Sequence, residues 1–326
     1  MKGIRMHRIL HTAIPGWLML WALCGALLAQ ESESYSIAWV GQFPPAEEDA
    51  GRKWGEKLSA LLFGEKSMAL VKPFGIVASS PGDFWILDQG AGTFLQVQEG
   101  KGKMSRTGEE YPSLVGLCRG LRSELYFTDS RLNQLCRLSD DGVIQMTHSG
   151  MLQQPTGIAF HPLRKEIWVC ETAAHCITVF DPEGRMLRRI GKRGSEPGEF
   201  NFPTFLWIDH EGRVYIVDSM NFRVQVLDRD GHFLFCFGEN GDGTGQMARP
   251  KGIATDSHGN IYLADALFHV VQIFDREGHY LANFGEQGQG EGEFWMPAGL
   301  YIDQEDHIYV ADSYNSRIQI FQLGTP

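Results

Sequence analysis

One pattern of alternating apolar residues that ends in an acidic residue occurs six times along the chain, and it restricts the fold more than any other feature. The three clearest copies read VYIVDSMNFRVQVL, IYLADALFHVVQIF and IYVADSYNSRIQIF, and they begin at residues 214, 261 and 308. Three weaker copies begin at Phe84, Leu125 and Ile167. Repetition at this spacing indicates a chain that folds as a series of similar, mutually packed units.

Each copy carries its acidic residue at the same point, and we call these six residues the anchors. Successive anchors are 41, 42, 47, 47 and 47 residues apart. A glycine lies thirteen residues before most anchors, with a proline two residues earlier, as Gly252 and Pro250 precede Asp265. The fourth copy has Phe205 in place of the glycine, and the second has Leu114 in place of the proline. The anchors are Asp88, Asp129, Glu171, Asp218, Asp265 and Asp312.

Each unit reads as four short strands. In the fifth copy, PKGIATD leads through a turn to IYLAD, then to VVQIF, and through the turn DREGH to YLANFG. Short alternating runs separated by Gly, Asp and Asn are typical of antiparallel strands joined by tight turns. Six such units predict an all-β fold, a six-bladed β-propeller of four-stranded blades.

The sixth copy ends one strand early, at IFQLGTP. The segment SYSIAWVGQ (34–42) resembles HYLANFGEQ (279–287), which supplies the fourth strand of the fifth copy. We predict that this N-terminal strand, centred on residues 36–40, pairs into the last blade and closes the ring, because closure covers strand edges that an open array exposes. Residues 30–326 then form a single domain, in which residues 73–326 hold the six repeats.

A connector, residues 43–72, lies between the closing strand and the first repeat. Trp54, Leu58, Leu61 and Leu62 recur with helical spacing, and Gly64 is suited to end a helix. We predict one short amphipathic helix packed on the propeller, with a partner-binding helix as the alternative.

The first 29 residues have the composition of a secretory signal peptide. Lys2, Arg5 and Arg8 precede an apolar run from residue 13 to residue 29. We predict cleavage after Ala26 or Ala29 and export to the periplasm or the extracellular space. Two alternatives keep the protein at a membrane: an uncleaved anchor, or a lipid attached to Cys24.

The charge of the chain limits its partners. The net charge is −11, and removal of the three basic residues of the leader gives −11 − 3 = −14. An acidic surface repels phosphate backbones and anionic headgroups, so we predict neither a nucleic acid nor a lipid surface as partner. The expected partner is a protein or peptide, and the expected state is a monomer.

Five cysteines follow the leader, and none has zinc-site spacing: Cys118, Cys136, Cys170, Cys176 and Cys236. Cys170 and Cys176 flank a predicted hairpin turn, so a disulfide between them stays open. The favoured interpretation is five small buried apolar side chains.

The combination P-x-G-I-A-x-D, G-x-I-Y-x-A-D, Q-I-F and G-x-G-x-F resembles the NHL repeat. Residues 250–294 carry it most fully, and it extends over about residues 73–321. The resemblance implies a six-bladed propeller but no single function, because this fold hosts many. Relatives include RNA- or protein-binding domains of tripartite-motif ubiquitin ligases, an amidating lyase with metal in its channel, and secreted bacterial proteins without an assigned activity.

The resemblance also implies that an anchor pairs with an arginine five residues later. Asp218 with Arg223 and Asp312 with Arg317 keep that spacing, whereas Glu171 with His175 departs from it. A function that needs one acid does not place it in every blade. We therefore interpret the anchors as structural residues that close each hairpin.

The loops that follow the anchors emerge on one side of the propeller, which we call the anchor face. In the last three copies they contain large side chains, and exposed aromatic groups beside polar ones are typical of protein contacts. The alternative is that they cover the neighbouring blade. The predicted contact residues are Met220, Phe222, Leu267, Phe268, His269 and Tyr314. Phe200, Phe294 and Trp295 are instead predicted as core.

No catalytic residue is predicted. The innermost strands offer almost no histidine for a channel metal, and His161, His210, His258 and His307 fall near turns opposite the anchor face. The glycine-rich loops 238–245 and 285–292 lack the Lys-Ser/Thr and the helix of a phosphate loop, so they read as connectors between blades. No cofactor is predicted, although calcium or zinc in a hydrolase or lyase of the lactonase or amidating type remains the alternative to a binding scaffold.

Overall fold

The computed structural model describes residues 4–5, 36–45, 70–105, 111–121, 124–139, 142–147 and 150–324. These residues form an almost purely antiparallel β-structure of six sheets, each with four strands in meander order or, in one sheet, with a short fifth strand. The predicted all-β six-bladed propeller is confirmed.

The strands follow the six repeats. Strand β1 (Ile4–Arg5) pairs with β2 (Ser36–Phe43). Blade 1 contains β3 (Pro73–Ser80), β4 (Asp83–Asp88), β5 (Thr93–Gln98) and β6 (Lys101–Ser105), and blade 2 contains β7 (Leu114–Arg119), β8 (Leu125–Asp129), β9 (Gln134–Ser139) and β10 (Gly142–Gln145). Blade 3 contains β11 (Pro155–His161), β12 (Glu166–Glu171), β13 (Cys176–Phe180) and β14 (Met186–Ile190).

The second half continues in the same order. Blade 4 contains β15 (Pro203–Ile208), β16 (Val214–Asp218), β17 (Arg223–Leu227) and β18 (Phe233–Phe237), and blade 5 contains β19 (Pro250–Thr255), β20 (Ile261–Asp265), β21 (Val270–Phe274) and β22 (Tyr280–Phe284). Blade 6 contains β23 (Pro297–Ile302), β24 (His307–Asp312) and β25 (Arg317–Gly324) together with β2. Single 3₁₀ turns, Ser219–Asn221 and Ser313–Asn315, follow β16 and β24.

The core lies between neighbouring blades. Every residue of β16 and of β20 is buried, since sheets cover both faces of these second strands. Between blades 4 and 5, Tyr215 and Val217 share one apolar cluster with Ile253 and Leu263. Alternating side chains of each blade thus fill the space against the next blade, which explains the period-2 pattern of the repeat.

The first strand of each blade lines a central channel, and glycine lets these strands approach. A Cβ atom on Gly157 would lie 2.7 Å from the carbonyl oxygen of Thr204 in the next blade, and one on Gly252 would lie 2.5 Å from that of Ala298. A larger residue at either position must push adjacent blades apart, which accounts for the glycine of the repeat.

The predicted ring closure is confirmed. Strand β2 pairs antiparallel with β25, with Ser36 opposite Gly324 and Ile37 opposite Leu323. Ile37 is buried with Leu323 in the apolar cluster that joins blades 5 and 6. The sixth blade is therefore built from both ends of the sequence.

Two predictions fall largely outside the described residues. The connector helix at Trp54, Leu58, Leu61 and Leu62 is one, and the signal peptide is the other, of which only Ile4 and Arg5 are described. Within the described ranges, no helix combines the length and the apolar content needed to cross a membrane.

Candidate functional site

The anchors lie at the ends of the second strands and are almost fully buried. Each is paired with the first residue of the innermost strand of its blade, as Asp312 is with Pro297. The carboxylate of Asp312 accepts a hydrogen bond of 2.7 Å from the backbone N–H of Trp295, which lies just before that strand. The side chain thus satisfies backbone donors where the chain enters the blade. The carboxylates of Asp88 and Asp265 make the same type of contact.

The two predicted aspartate–arginine pairs are present. Arg223 Nε lies 2.9 Å from Asp218 Oδ2, and Arg317 Nε lies 2.8 Å from Asp312 Oδ2. Glu171, the exceptional anchor, pairs with Arg189 of β14 rather than with His175. The Nδ1 atom of His175 instead accepts the backbone N–H of Phe202. In this geometry the anchors hold the backbone and are not directed at open space.

The predicted contact residues of the anchor face divide into two groups. Met220, Leu267 and Tyr314 stand at loop tips with 54%, 55% and 56% of their surface exposed. Phe222 and Phe268 are half-buried, and Phe222 packs on the cluster between blades 4 and 5. His269 is half-buried as well. Its Nδ1 atom accepts the N–H of Met296 over 3.0 Å, so this ring supports the next connector.

Two exposed aromatic residues were not among the predicted contacts. Phe200 and Phe294 are fully buried, as expected, but Trp295 is 41% exposed and its ring centre lies 6.2 Å from that of Tyr314. Phe202 is also exposed. The prediction of Trp295 as a core residue was wrong, because the buried position belongs to the phenylalanine just before it. Their distance from Pro297, the first residue of β23, distinguishes the two. The residue three positions before this proline is buried, and the residue two positions before it is exposed.

A pocket of about 540 Å³ opens on the anchor face between blades 4 and 5. Its apolar wall is formed by side chains of Phe202, Met220 and Phe222. Its basic wall is formed by Arg249 and Lys251, which flank Pro250 at the start of β19. Burial, together with the charges of Arg249 and Lys72, lowers the pKa of the Lys251 ammonium to about 8.

The central channel is interrupted near the anchor face by two aromatic rings. Phe74 of blade 1 and Phe205 of blade 4 stack with their ring centres 5.6 Å apart. Blades 1 and 4 lie opposite each other in a ring of six, so the stack spans the channel. Phe205 occupies the position that is glycine in the other repeats. The departure from the repeat therefore supplies half of an internal plug.

A cavity of about 810 Å³ occupies the rest of the channel and reaches the turns on the opposite face. Trp207 and Tyr301 meet edge to face within it, with ring centres 5.4 Å apart. Arg119 also lines this cavity, and its guanidinium donates to the Ser79 hydroxyl.

The carboxylates at the mouth of this cavity are already engaged. Three of them belong to Asp209, Asp256 and Asp303, each at the start of a turn. In each case Oδ1 accepts N–H groups of the following turn, as Asp209 does from residues 211 and 213, and Oδ2 accepts a buried tyrosine hydroxyl. Burial raises the pKa of Asp256. The donor set in the channel is therefore a poor fit to a metal that requires several free carboxylates or histidines.

One group of three potential ligands lies elsewhere among the described residues. Asp275, Glu277 and His279 hold their ligand atoms within 4.8 Å of one another on an outer turn of blade 5. The Asp275 carboxylate accepts the backbone N–H groups of the other two, so the group also has a role in the turn.

His161 is fully buried beside Trp168, and burial lowers its pKa, so the ring is neutral near pH 7.

None of the five cysteines that the structure describes forms a disulfide, and this includes Cys170 and Cys176. Four are buried and Cys236 is exposed.

The glycine-rich loops lead from one blade to the next: residues 240 and 247 form one isolated bridge and residues 287 and 294 another. Their interpretation as connectors agrees with this placement.

Sequence comparison matches two parts of the chain to known families. Residues 294–321 match the NHL repeat, and residues 145–236 match a six-bladed β-propeller family. No curated protein is matched by the sequence.

Several solved structures share the fold at low sequence identity. One is a catalytically inactive virginiamycin B lyase from Staphylococcus aureus with quinupristin (TM-score 0.59, 17% identity, 79% of this chain and 97% of that one). Another is an auxiliary nutrient binding protein from Bacteroides ovatus (TM-score 0.63, 13% identity, 78% and 70%). A third is a putative gluconolactonase (TM-score 0.59, 13% identity, 78% and 90%). The protein is a six-bladed β-propeller, and its last repeat, over residues 294–321, matches the NHL repeat.

Proposed function

We propose that this protein is a binding scaffold whose anchor face holds a segment of another protein or a peptide. The observation that carries the proposal is the distribution of exposed large apolar side chains. Among the described residues, seven of the fourteen lie on this one face: Val71, Leu132, Phe202, Met220, Leu267, Trp295 and Tyr314. Apolar and aromatic side chains clustered on a rigid surface are the usual anchors of a protein contact.

The shape of the face supports the same function. Met220, Leu267 and Tyr314 project from loops that are fixed at their base by the anchors Asp218, Asp265 and Asp312. Loops held in this way lose little conformational entropy when a ligand binds. Export through the predicted leader is part of the proposal, and it places the partner outside the cytoplasm.

A second candidate function is an enzyme that uses the channel. Two of the similar structures are a lyase and a putative gluconolactonase, and the cavity of about 810 Å³ is large enough for a small substrate. The engaged carboxylates of Asp209, Asp256 and Asp303 weigh against metal chemistry there. Stoichiometric calcium or zinc that survives dialysis of the purified protein would favour the enzyme.

The scaffold is tested by affinity capture with mass spectrometry. The bait variant carries Met220→Ser, Leu267→Ser and Tyr314→Ser, and the matched control carries Leu163→Ser, Leu187→Ser and Leu234→Ser, which are equally exposed but lie away from the anchor face. We expect the wild type and the control to capture the same partner, and the anchor-face variant to lose it. Equal capture by all three proteins would contradict the assignment of the face.

A further inference from the structure

The pocket between blades 4 and 5 contains a positive charge without a counter-charge. Within the part of the chain that the structure describes, neither an ion pair nor a hydrogen bond engages the ammonium group of Lys251. The Nζ atom faces the ring of Phe205, 5.8 Å from its centre. Lys251 is half-buried, and desolvation of an ammonium group costs free energy unless a negative group compensates it, so this arrangement requires an explanation.

Two further cations reinforce this charge. Lys72 and Arg249 lie close enough to Lys251 to lower its pKa, and neither forms an ion pair with a described residue. Lys72 Nζ lies 5.6 Å from the centre of the Tyr314 ring, at the exposed side of the same face. The carboxylates of Asp88 and Asp265 accept the backbone N–H groups of Lys72 and Arg249 and form no ion pair with the three cationic side chains. The chain as a whole has 40 acidic and 29 basic residues, so three neighbouring cations that form no ion pair with a described residue are contrary to its average composition.

The walls of the pocket determine what can compensate the charge. Phe202, Met220 and Phe222 present an apolar surface on one side, and an ion pair beside such a surface is stronger than in bulk solvent. A ligand that fits both walls combines an apolar or aromatic group with one negative group. A polyanion fits poorly, because the net charge of −11 repels a chain of phosphates at long range.

We propose that this pocket binds a carboxylate of the ligand, with Lys251 as its counter-charge and the Phe202–Met220–Phe222 wall holding the adjoining apolar side chain. The proposal rests on the proposed function and specifies the chemistry of the peptide. The carboxylate has two sources in a peptide, the C-terminus or the side chain of an aspartate or glutamate. Both present the same group to Lys251, so the experiment has an arm for each.

The probes are small and defined. N-acetyl-phenylalanine carries a terminal carboxylate beside an aromatic ring, and N-acetyl-phenylalanine amide is the same molecule without the charge. N-acetyl-phenylalanyl-glutamic acid α-amide supplies the carboxylate from a side chain. Binding of each probe to the full-length protein is measured by ligand-observed NMR titration at pH 7. We expect at least one acid to bind about tenfold more tightly than the neutral amide, as a charge-assisted contact requires.

Two substitutions test whether Lys251 is the residue that supplies the counter-charge. Lys251→Met keeps the length of the side chain and removes the charge, and we expect it to abolish the preference for the acid. Lys101→Met, on an exposed outer strand of blade 1, is the matched control and should retain it. Because the pKa of Lys251 is about 8, the preference should weaken between pH 7 and pH 9.5.

Several outcomes overturn the proposal. These are equal binding of acid and amide, no binding of any probe, a preference that survives in Lys251→Met, or tighter binding of a single-stranded oligouridylate than of the acids. Failure here is separable from failure of the scaffold. If the Met220, Leu267 and Tyr314 variant loses its partner while Lys251→Met captures it normally, the scaffold stands and the carboxylate site falls.

Discussion

Arg317 and Asp312 form an ion pair of 2.8 Å between neighbouring strands of the sixth blade, and the arginine reaches beyond its partner. Its other nitrogens donate to the carbonyl oxygens of Gly290 and Glu293 in the incoming connector, and to the side chain of Gln42 in the closing strand. One guanidinium therefore joins the three segments that meet in this blade.

Replacing Arg317 by methionine should reduce the stability of the protein strongly. The change leaves the Asp312 carboxylate buried without its counter-charge, and losing one partner of such a pair costs about 3–5 kcal/mol. Urea denaturation followed by fluorescence measures the loss. The control is Arg276→Met, which breaks an exposed pair with Glu211 and should cost less than about 1 kcal/mol. Similar losses in both variants would show that the Arg317–Asp312 pair contributes no more to the free energy of unfolding than an exposed pair does.

Truncating Ile37 to alanine should destabilise the closed ring. The side chain is 3% exposed and packs with residues of blades 5 and 6, so the cavity left behind should cost about 2–4 kcal/mol. Val40→Ala, on the same strand but half exposed, is the control and should cost under about 1 kcal/mol. If both variants unfold like the wild type, β2 does not belong to the cooperative unit.

Stability should rise with pH because of Lys251. The pKa of this group falls from 10.5 to about 8 on folding, so the unfolded chain binds more protons between these two values. The free energy of unfolding therefore increases with pH across that window. Lys251→Met should lack this increase, and at pH 7 it should be more stable than the wild type by about 1–3 kcal/mol. Parallel profiles for the two proteins at pH 7.5, 9 and 10 would contradict the assigned cause.

Among the five cysteines that are described, Cys236 should react alone with an aromatic disulfide reagent in the native protein. It is exposed, whereas burial raises the pKa of the thiols of Cys118 and Cys170, and of Cys176 to about 11. Reactive thiols are counted by absorbance before and after denaturation. The variant Cys236→Ser should lose the fast phase, and a fast phase that remains at full size would contradict this prediction.

Much of the fold could be predicted because each structural requirement recurs. A buried acid at the end of the second strand recurs in all six blades, and a glycine where inner strands touch recurs in five of them, so the copies reinforce one another. The closing strand was recognisable for the same reason, since SYSIAWVGQ keeps the pattern of a fourth strand. A structural requirement that recurs from blade to blade selects the same type of residue in successive copies, and this repetition is visible in the sequence.

The candidate site could be predicted only in part, because it depends on residues that differ between the blades. Exposed Met220, Leu267 and Tyr314 follow from their positions at loop tips. Lys251 does not stand out, since its environment is created by Phe205 in the preceding blade and by Lys72 near the first blade. A contact between distant segments of the sequence has no local signature, so the charge of this pocket becomes visible only in the folded ring.

The pairing of β2 with β25 also decides how the ring responds to mechanical force. Ser36 and Gly324 lie directly opposite each other, so the chain enters one strand and leaves the other at the same point. Tension applied through these two exits pulls the strands apart one hydrogen bond at a time, as a zipper opens, and does not load the whole ladder together. Under such tension the sixth blade would open first. The other five blades, each continuous in sequence, would carry little of the force.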